Sequence, residues 1–174
     1  MHRRMAAAFW AAWLALAGCA GHGDSQATDD APGAMIVARA GGGTLFRAPA
    51  RGWYCATDSI LAVAAVAADW SGAIAWKSSW PPADSQFVVG PSFGTGDSAR
   101  LALRPIPRRD SVGVALLGRR GSLRLRSFEP LSGHFEAVVR ADSDSVRVIG
   151  TFTGVAVERN GCAAAVAIPL RPAP

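Results

Sequence analysis

The chain has 174 residues, half of them apolar, with 18 Lys and Arg against 13 Asp and Glu and a formal net charge of +5. That length allows one ordinary domain with a real core and is too short for two once a leader is set aside. Nucleic acid is a poor partner, because aromatic residues are not interleaved with the arginines as a single-strand binder requires and the export signal at the start of the chain would remove the protein from it.

The chain begins with His2, Arg3 and Arg4, continues with an uncharged apolar run over residues 5–16, and then turns to small residues, the three-part layout of a secretory signal. Twelve helical residues cover roughly 18 Å against about 30 Å of hydrocarbon, so the run predicts export and not a membrane span. The junction Leu16-Ala17-Gly18-Cys19 resembles the lipobox of bacterial lipoproteins, in which small residues admit a signal peptidase to the bond before a diacylglyceryl-modified cysteine. That resemblance implies a signal peptide over residues 1–18, Cys19 as the lipidated (in part palmitate-bearing) first residue, and a cell-envelope protein. In that family an aspartate after the cysteine often retains the protein at the inner membrane, whereas Ala20 here favours the outer membrane of a two-membrane envelope. Several acyl chains on one residue exceed the two signals that stable anchoring needs, so the rest of the chain need not bind lipid. Without Arg3 and Arg4 the charge falls to 16 basic against 13 acidic residues, or +3.

Residues 19–33 follow as a tether of Gly, Asp, Ser, Gln and Thr with almost nothing to bury, expected to be disordered and to reach about 20 Å. Residues 34–174 then read as one all-β domain, antiparallel, either a β-sandwich or a closed meander barrel, from short apolar runs separated by turn residues. Residues 35–39 end at Gly41-Gly42-Gly43, and residues 44–48 at Pro49. The run 60–68 is rich in alanine and has no clear period. It reads as a strand because Asp69-Trp70-Ser71-Gly72 looks like a turn and residues 73–80 resume as a hairpin partner.

Further on, Gly118-Arg119-Arg120-Gly121 separates residues 112–117 from residues 122–128 and reads as a tight hairpin turn. His134, Glu136, Val138 and Arg140 alternate with Phe135, Ala137, Val139 and Ala141, and Asp142-Ser143-Asp144 turns the chain. Val146, Val148 and Phe152 keep one parity, Val155 and Val157 the other, which predicts a bulge near Gly150 or Gly154. Asn160-Gly161 predicts a two-residue hairpin, its return strand ending at Pro169. Residues 131–136, Leu-Ser-Gly-His-Phe-Glu, and 150–155, Gly-Thr-Phe-Thr-Gly-Val, resemble a pattern near the C-terminus of many uncharacterised small envelope lipoproteins, where a Ser-Gly-x-Phe strand pairs with a Gly-x-Phe strand. The resemblance implies an antiparallel meander and no activity.

With Cys19 lipidated, Cys55 and Cys162 remain in an oxidising compartment and are expected to pair. Their spacing fits no zinc pattern, His134 is the only histidine of the domain, and no metal or cofactor is expected. Gly90-Pro91-Ser92-Phe93-Gly94 spells a hydrolase nucleophile elbow, with Asp110 and His134 available as partners, but an elbow must run from strand into helix and the sequence after it alternates as a strand. The chain therefore reads as non-enzymatic, with a Ser92 hydrolase the least favoured alternative. Trp53, Trp70, Trp76 and Trp80 either fill a core or line a lipocalin-like cavity for a small apolar ligand. Arg100, Arg104, Arg124 and Arg126 lie in the one basic stretch, either a solvated strand face or a patch for an envelope protein, polysaccharide or acidic headgroups. The leading expectation is a lipid-anchored structural or interaction module, the alternative a carrier.

Overall fold

Alternation of small or branched apolar residues with polar ones extends through most of the chain beyond the tether, and the computed structural model describes residues 33–82, 85–93, 97–106, 114–141, 144–160 and 162. The elements are β1 (Ala34–Arg39), β2 (Thr44–Cys55), β3 (Ile60–Val66), β4 (Trp70–Lys77), β5 (Gln86–Val89), β6 (Ser98–Pro105), β7 (Leu116–Phe128), β8 (Leu131–Ala141), β9 (Asp144–Val155) and β10 (Val157–Arg159). Neighbours run β1-β9-β8-β7-β5-β6-β4-β3-β2, and β1 also pairs with β2, so nine strands close into a barrel to which β10 adds at β2. Of the two all-β architectures left open by the sequence, the chain adopts the barrel.

The sheet is mixed where the sequence predicts antiparallel pairing throughout. β5 runs parallel to β6 (Val88 opposite Ser98) and antiparallel to β7 (Val88 opposite Ser122). Farther along, β6 pairs directly with β7, Ala102 opposite Leu117. The four residues of β5 thus fill the wedge where β6 and β7 splay apart. β2 continues through Pro49, which sits opposite Ala34 at the point where β2 exchanges β1 for β3, so its missing N–H interrupts little.

The run 60–68 is a strand, β3, over its first seven residues. The turn to β4 comes two residues earlier than predicted: the Ala67 amide donates to the Trp70 carbonyl at 2.7 Å, and Trp70 already pairs with Pro105. The predicted hairpin turn Gly118-Arg119-Arg120-Gly121 is a correction of a different kind. β7 passes straight through it as one strand, the register with β8 slipping by one residue between Gly118 and Arg120 and again between Leu125 and Ser127. Arg119 and Arg126 are the extra residues, and a bulge lets such a residue stand outside the ladder. The parity change near the end of β9 is also a bulge: Leu131 and Gly133 face Val155 and Phe152, and Gly154 there has φ +63°.

Asn160 ends β10, its amide donating to the Tyr54 carbonyl at 3.2 Å, because Val157 to Arg159 run parallel to Gly52 to Tyr54. Gly161 and residues 163–174, the return arm of the predicted hairpin, lie outside the described residues, as do Cys19, the signal segment, all of the tether before Gly33, and Asp142-Ser143. The parallel register brings Cys55 and Cys162 together, bonded, with their Cα atoms 4.5 Å apart.

Inner positions carry the core: Met35, Phe46, Leu61, Ile74, Phe87, Leu101, Phe135 and Phe152 are all essentially buried, and Trp76 is fully so. A barrel of eight or nine strands is just wide enough for side chains to fill it. Filling is achieved by pairing rings with glycines. Phe135 lies directly opposite Gly150, and Phe152 opposite Gly133, so each ring covers the bare backbone of the other strand. A Cβ on Gly150 would collide with the Phe135 ring, one on Gly133 would lie 2.7 Å from Phe152 Cζ, and one on Gly72 2.5 Å from Phe46 Cζ. A second apolar layer sits on the outer face of β3, β4 and β6, where Ala62, Ala73, Ala75 and Ala102 are buried with Cys55 beside Trp53, Phe93 and Cys162.

The disulfide closes a loop of 107 residues, which limits the unfolded chain by up to about 4.7 kcal/mol in the entropic treatment. Thiol titration of the denatured, unreduced protein is expected to find neither cysteine free. Replacing both by serine should lower unfolding stability by about 2–5 kcal/mol. A double variant as stable as the native chain would contradict the bridge.

Candidate functional site

The four tryptophans do not form one surface. Trp70, Ile74 and Trp76 share the inner parity of β4, and Trp80 follows the strand, so Trp70 stands near one end of the barrel, Trp76 inside it and Trp80 at the other end. Trp53 lies on the outer apolar layer beside Cys55. Trp76 stacks against Phe152 at 6.2 Å and tilts against Phe87 at 5.8 Å. Its Nε1–H is buried without an acceptor, a cost of about 1–3 kcal/mol.

At the barrel end reached by Trp80, the turn between β7 and β8 and the chain from β9 into β10 frame a cleft of about 250 Å³. Trp80 is held between Tyr54, 5.9 Å away, and the guanidinium of Arg159, 5.4 Å from its ring centroid. Arg159 also donates to Glu129. Both partners of that ion pair are more than half exposed, so its worth is at most about 1 kcal/mol. The cleft is an aromatic floor with one cation and one anion at its lip. Phe128 and Arg159, which sequence reasoning did not single out for this site, reach Trp80 from β7 and β10, elements that meet only once the barrel closes.

The four arginines of the basic stretch are separated. Arg100 and Arg104 lie on β6, opposite Ala75 and Ser71, while Arg124 lies on β7 between Gln86 and His134, and β5 stands between the two strands at that level. Arg100 stacks over Phe93 at 5.5 Å, and burial lowers its pKa. Arg104 Nε is buried without a partner. Both side chains are half-buried. Arg124 and Arg126 are exposed and are joined on β7 by Arg119 and Arg120.

A larger groove, about 420 Å³, opens on the outer face of β7, β8 and β9 between Arg120 and Arg147. Arg147 donates to Glu136 across the β8–β9 ladder. His134, two residues back on β8, is half-buried with Nδ1 unpartnered. Its pKa is lowered by burial first and then by the positive charges of Arg126 and Arg124.

Ser92 sits in the segment after β5, Gly94 and Asp110 lie outside the described residues, and the next element is the strand β6. His134 is on β8, with β7 between it and β5.

The chain matches no protein-family model, no curated protein and no solved structure. No helix among the described residues is long and apolar enough to cross a membrane. The barrel also has the opposite polarity to a transmembrane one, apolar inside and arginine-bearing outside.

The depressed pKa of His134 makes stability depend on pH. Below its ordinary value of 6.5 the unfolded chain takes up a proton that the folded face refuses. The unfolded state then binds more protons, so stability falls as pH drops through 6.5 toward the lowered folded value. Urea midpoints between pH 7.5 and 5.5 should fall in the native chain and fall less in His134→Gln. Equal slopes in the two would show that His134 does not titrate in this way.

Proposed function

We propose that the chain is a lipid-anchored cell-envelope protein, held through Cys19, whose barrel serves as a non-enzymatic interaction module. The observation that carries the module reading is the occupied interior. Trp76, Phe87, Phe135 and Phe152 fill the barrel, and glycines on the opposing strands give the phenylalanines their space. A filled barrel leaves its outer surface, the 250 Å³ cleft at Trp80 and the groove at Arg120 and Arg147, as the parts able to meet a partner. The anchor reading rests on Leu16-Ala17-Gly18-Cys19 directly after the apolar run, and Ala20 favours the outer membrane where there are two. An anchored barrel needs no affinity for lipid, which suits a surface built for a protein or polysaccharide of the envelope.

A second reading, a carrier for a small apolar molecule, is favoured by one observation, the orphaned Nε1–H of Trp76 inside the barrel. A ligand bearing one acceptor would satisfy it. Native mass spectrometry of the purified chain discriminates: a small molecule retained at one equivalent through repeated preparations favours the carrier, and its absence the module.

The anchor is tested by Cys19→Ser in a bacterial host. The native chain should be cleaved before Cys19 and fractionate with membranes, and the variant should remain unprocessed or leave the membrane fraction. Unchanged processing and fractionation would overturn the anchor.

A further inference from the structure

The two bulges of β7 do more than bend the strand. Each adds one residue, and both added residues are arginines, Arg119 and Arg126, flanking the outward-facing Arg120 and Arg124. Four exposed guanidiniums therefore follow one another along a single strand over at most about 23 Å, at about 3.3 Å per residue. Among the described residues β8 and β9 carry two carboxylates, Glu136, opposite Ser122 and engaged by Arg147, and Asp144 at the start of β9, against four arginines on β7 alone. Positive charge outnumbers negative on this face among the described residues. Beside Arg120 the groove of about 420 Å³ has its floor at Gly121, where a side chain would collide with the Glu136 carbonyl oxygen. Arg120 and Arg147 flank Val138 on this floor, and because Arg147 is held by Glu136 at the groove wall, Arg120 is the exposed guanidinium placed to receive an anionic group.

We propose that the outer face of β7–β8–β9 is a docking surface for a linear acidic polysaccharide, laid along the arginine row of β7 with one anionic group seated in the groove beside Arg120. Charge complementarity selects a polyanion, and geometry selects a linear one. The charges form a line along one strand and not a disc, and the barrel wall is convex, so a flat bilayer would meet only part of the row and could not enter the groove. Val88, 65% exposed, and Ile149, 44% exposed, lie on the same outer row as Ser122 and offer apolar contact to sugar ring faces. The proposal rests on the reading of the chain as an interaction module and names the partner chemistry of that surface. It does not depend on acylation of Cys19, so its failure and that of the anchor are separate results.

Heparin, a sulfated polysaccharide, serves as the probe with the full chain in neutral detergent. Binding should be saturable and should weaken steeply with salt, because each contact releases counterions. Arg120→Ala/Arg124→Ala should weaken it by about tenfold or more and flatten the salt dependence by about two contacts' worth. Arg47→Ala/Arg51→Ala removes the same charge from exposed positions of β2, on the far side of the barrel, and should change affinity less than about twofold. Circular dichroism confirms that both variants are folded. Equal losses in the two pairs, or no heparin binding at low salt, overturn the proposal. So does the opposite preference, in which Arg120 and Arg124 govern binding to phosphatidylglycerol over phosphatidylcholine vesicles while heparin is not bound.

Discussion

Phe135 over Gly150, and Phe152 over Gly133, is the contact on which the barrel depends. The two pairs are reciprocal. Each strand of the β8–β9 ladder offers one ring and one bare backbone position to the other, so both rings can lie inward without forcing the strands apart. Phe152 then stacks on Trp76 from β4, across the interior, and Trp76 meets Phe87 from β5. A continuous apolar stack thus joins strands that are far apart around the wall. Closure by β1 against β2 adds hydrogen bonds, but burial of these rings supplies the larger share of the driving force, at about 25 cal/mol per Å² of apolar surface.

Much of this was legible in the sequence, for a physical reason. Strict alternation over residues 134–141 leaves only one way to face a core, and the paired Gly-x-Phe segments carry their own register, so an antiparallel β8–β9 ladder could be read directly and its bulge placed near Gly150 or Gly154. The run 60–68 was harder, since alanine is compatible with either period, and its neighbours decided it. What could not be read was where a glycine-flanked polar pair bends a strand and where it reverses one. Gly118-Arg119-Arg120-Gly121 has turn composition, yet β7 continues through it, because β5, β6 and β8 all pair along its length and hold it extended. The parallel run of β10 beside β2 was hidden for the same reason: local turn preference at Asn160 gives no account of a distant partner.

The candidate surfaces follow that division. Arg100 and Arg104 are close in sequence to Arg124 and Arg126, but the insertion of β5 puts them on another part of the wall, partly buried, with Arg100 against Phe93. The cleft at Trp80 draws Arg159, Phe128 and Tyr54 from three elements, a meeting that no sequence window contains. The alanines of β3, β4 and β6 make sense only in the folded chain. They lie outside the barrel, where small side chains let the segment ending at Cys162 approach the wall and reach Cys55. One chain therefore has a tightly filled inside and an outside divided into an apolar, disulfide-held side and an arginine-bearing side.

That the interior is filled, and not a solvent-accessible or ligand-bearing chamber, is the claim from which the functional reading descends. Equilibrium urea unfolding of Phe135→Ala tests it most directly. Removing a ring that is fully packed against Gly150 should cost about 3–5 kcal/mol, since the cavity left behind cannot collapse against a closed wall. A loss below about 1 kcal/mol would mean that the ring borders open space, and the account of a filled barrel would be wrong.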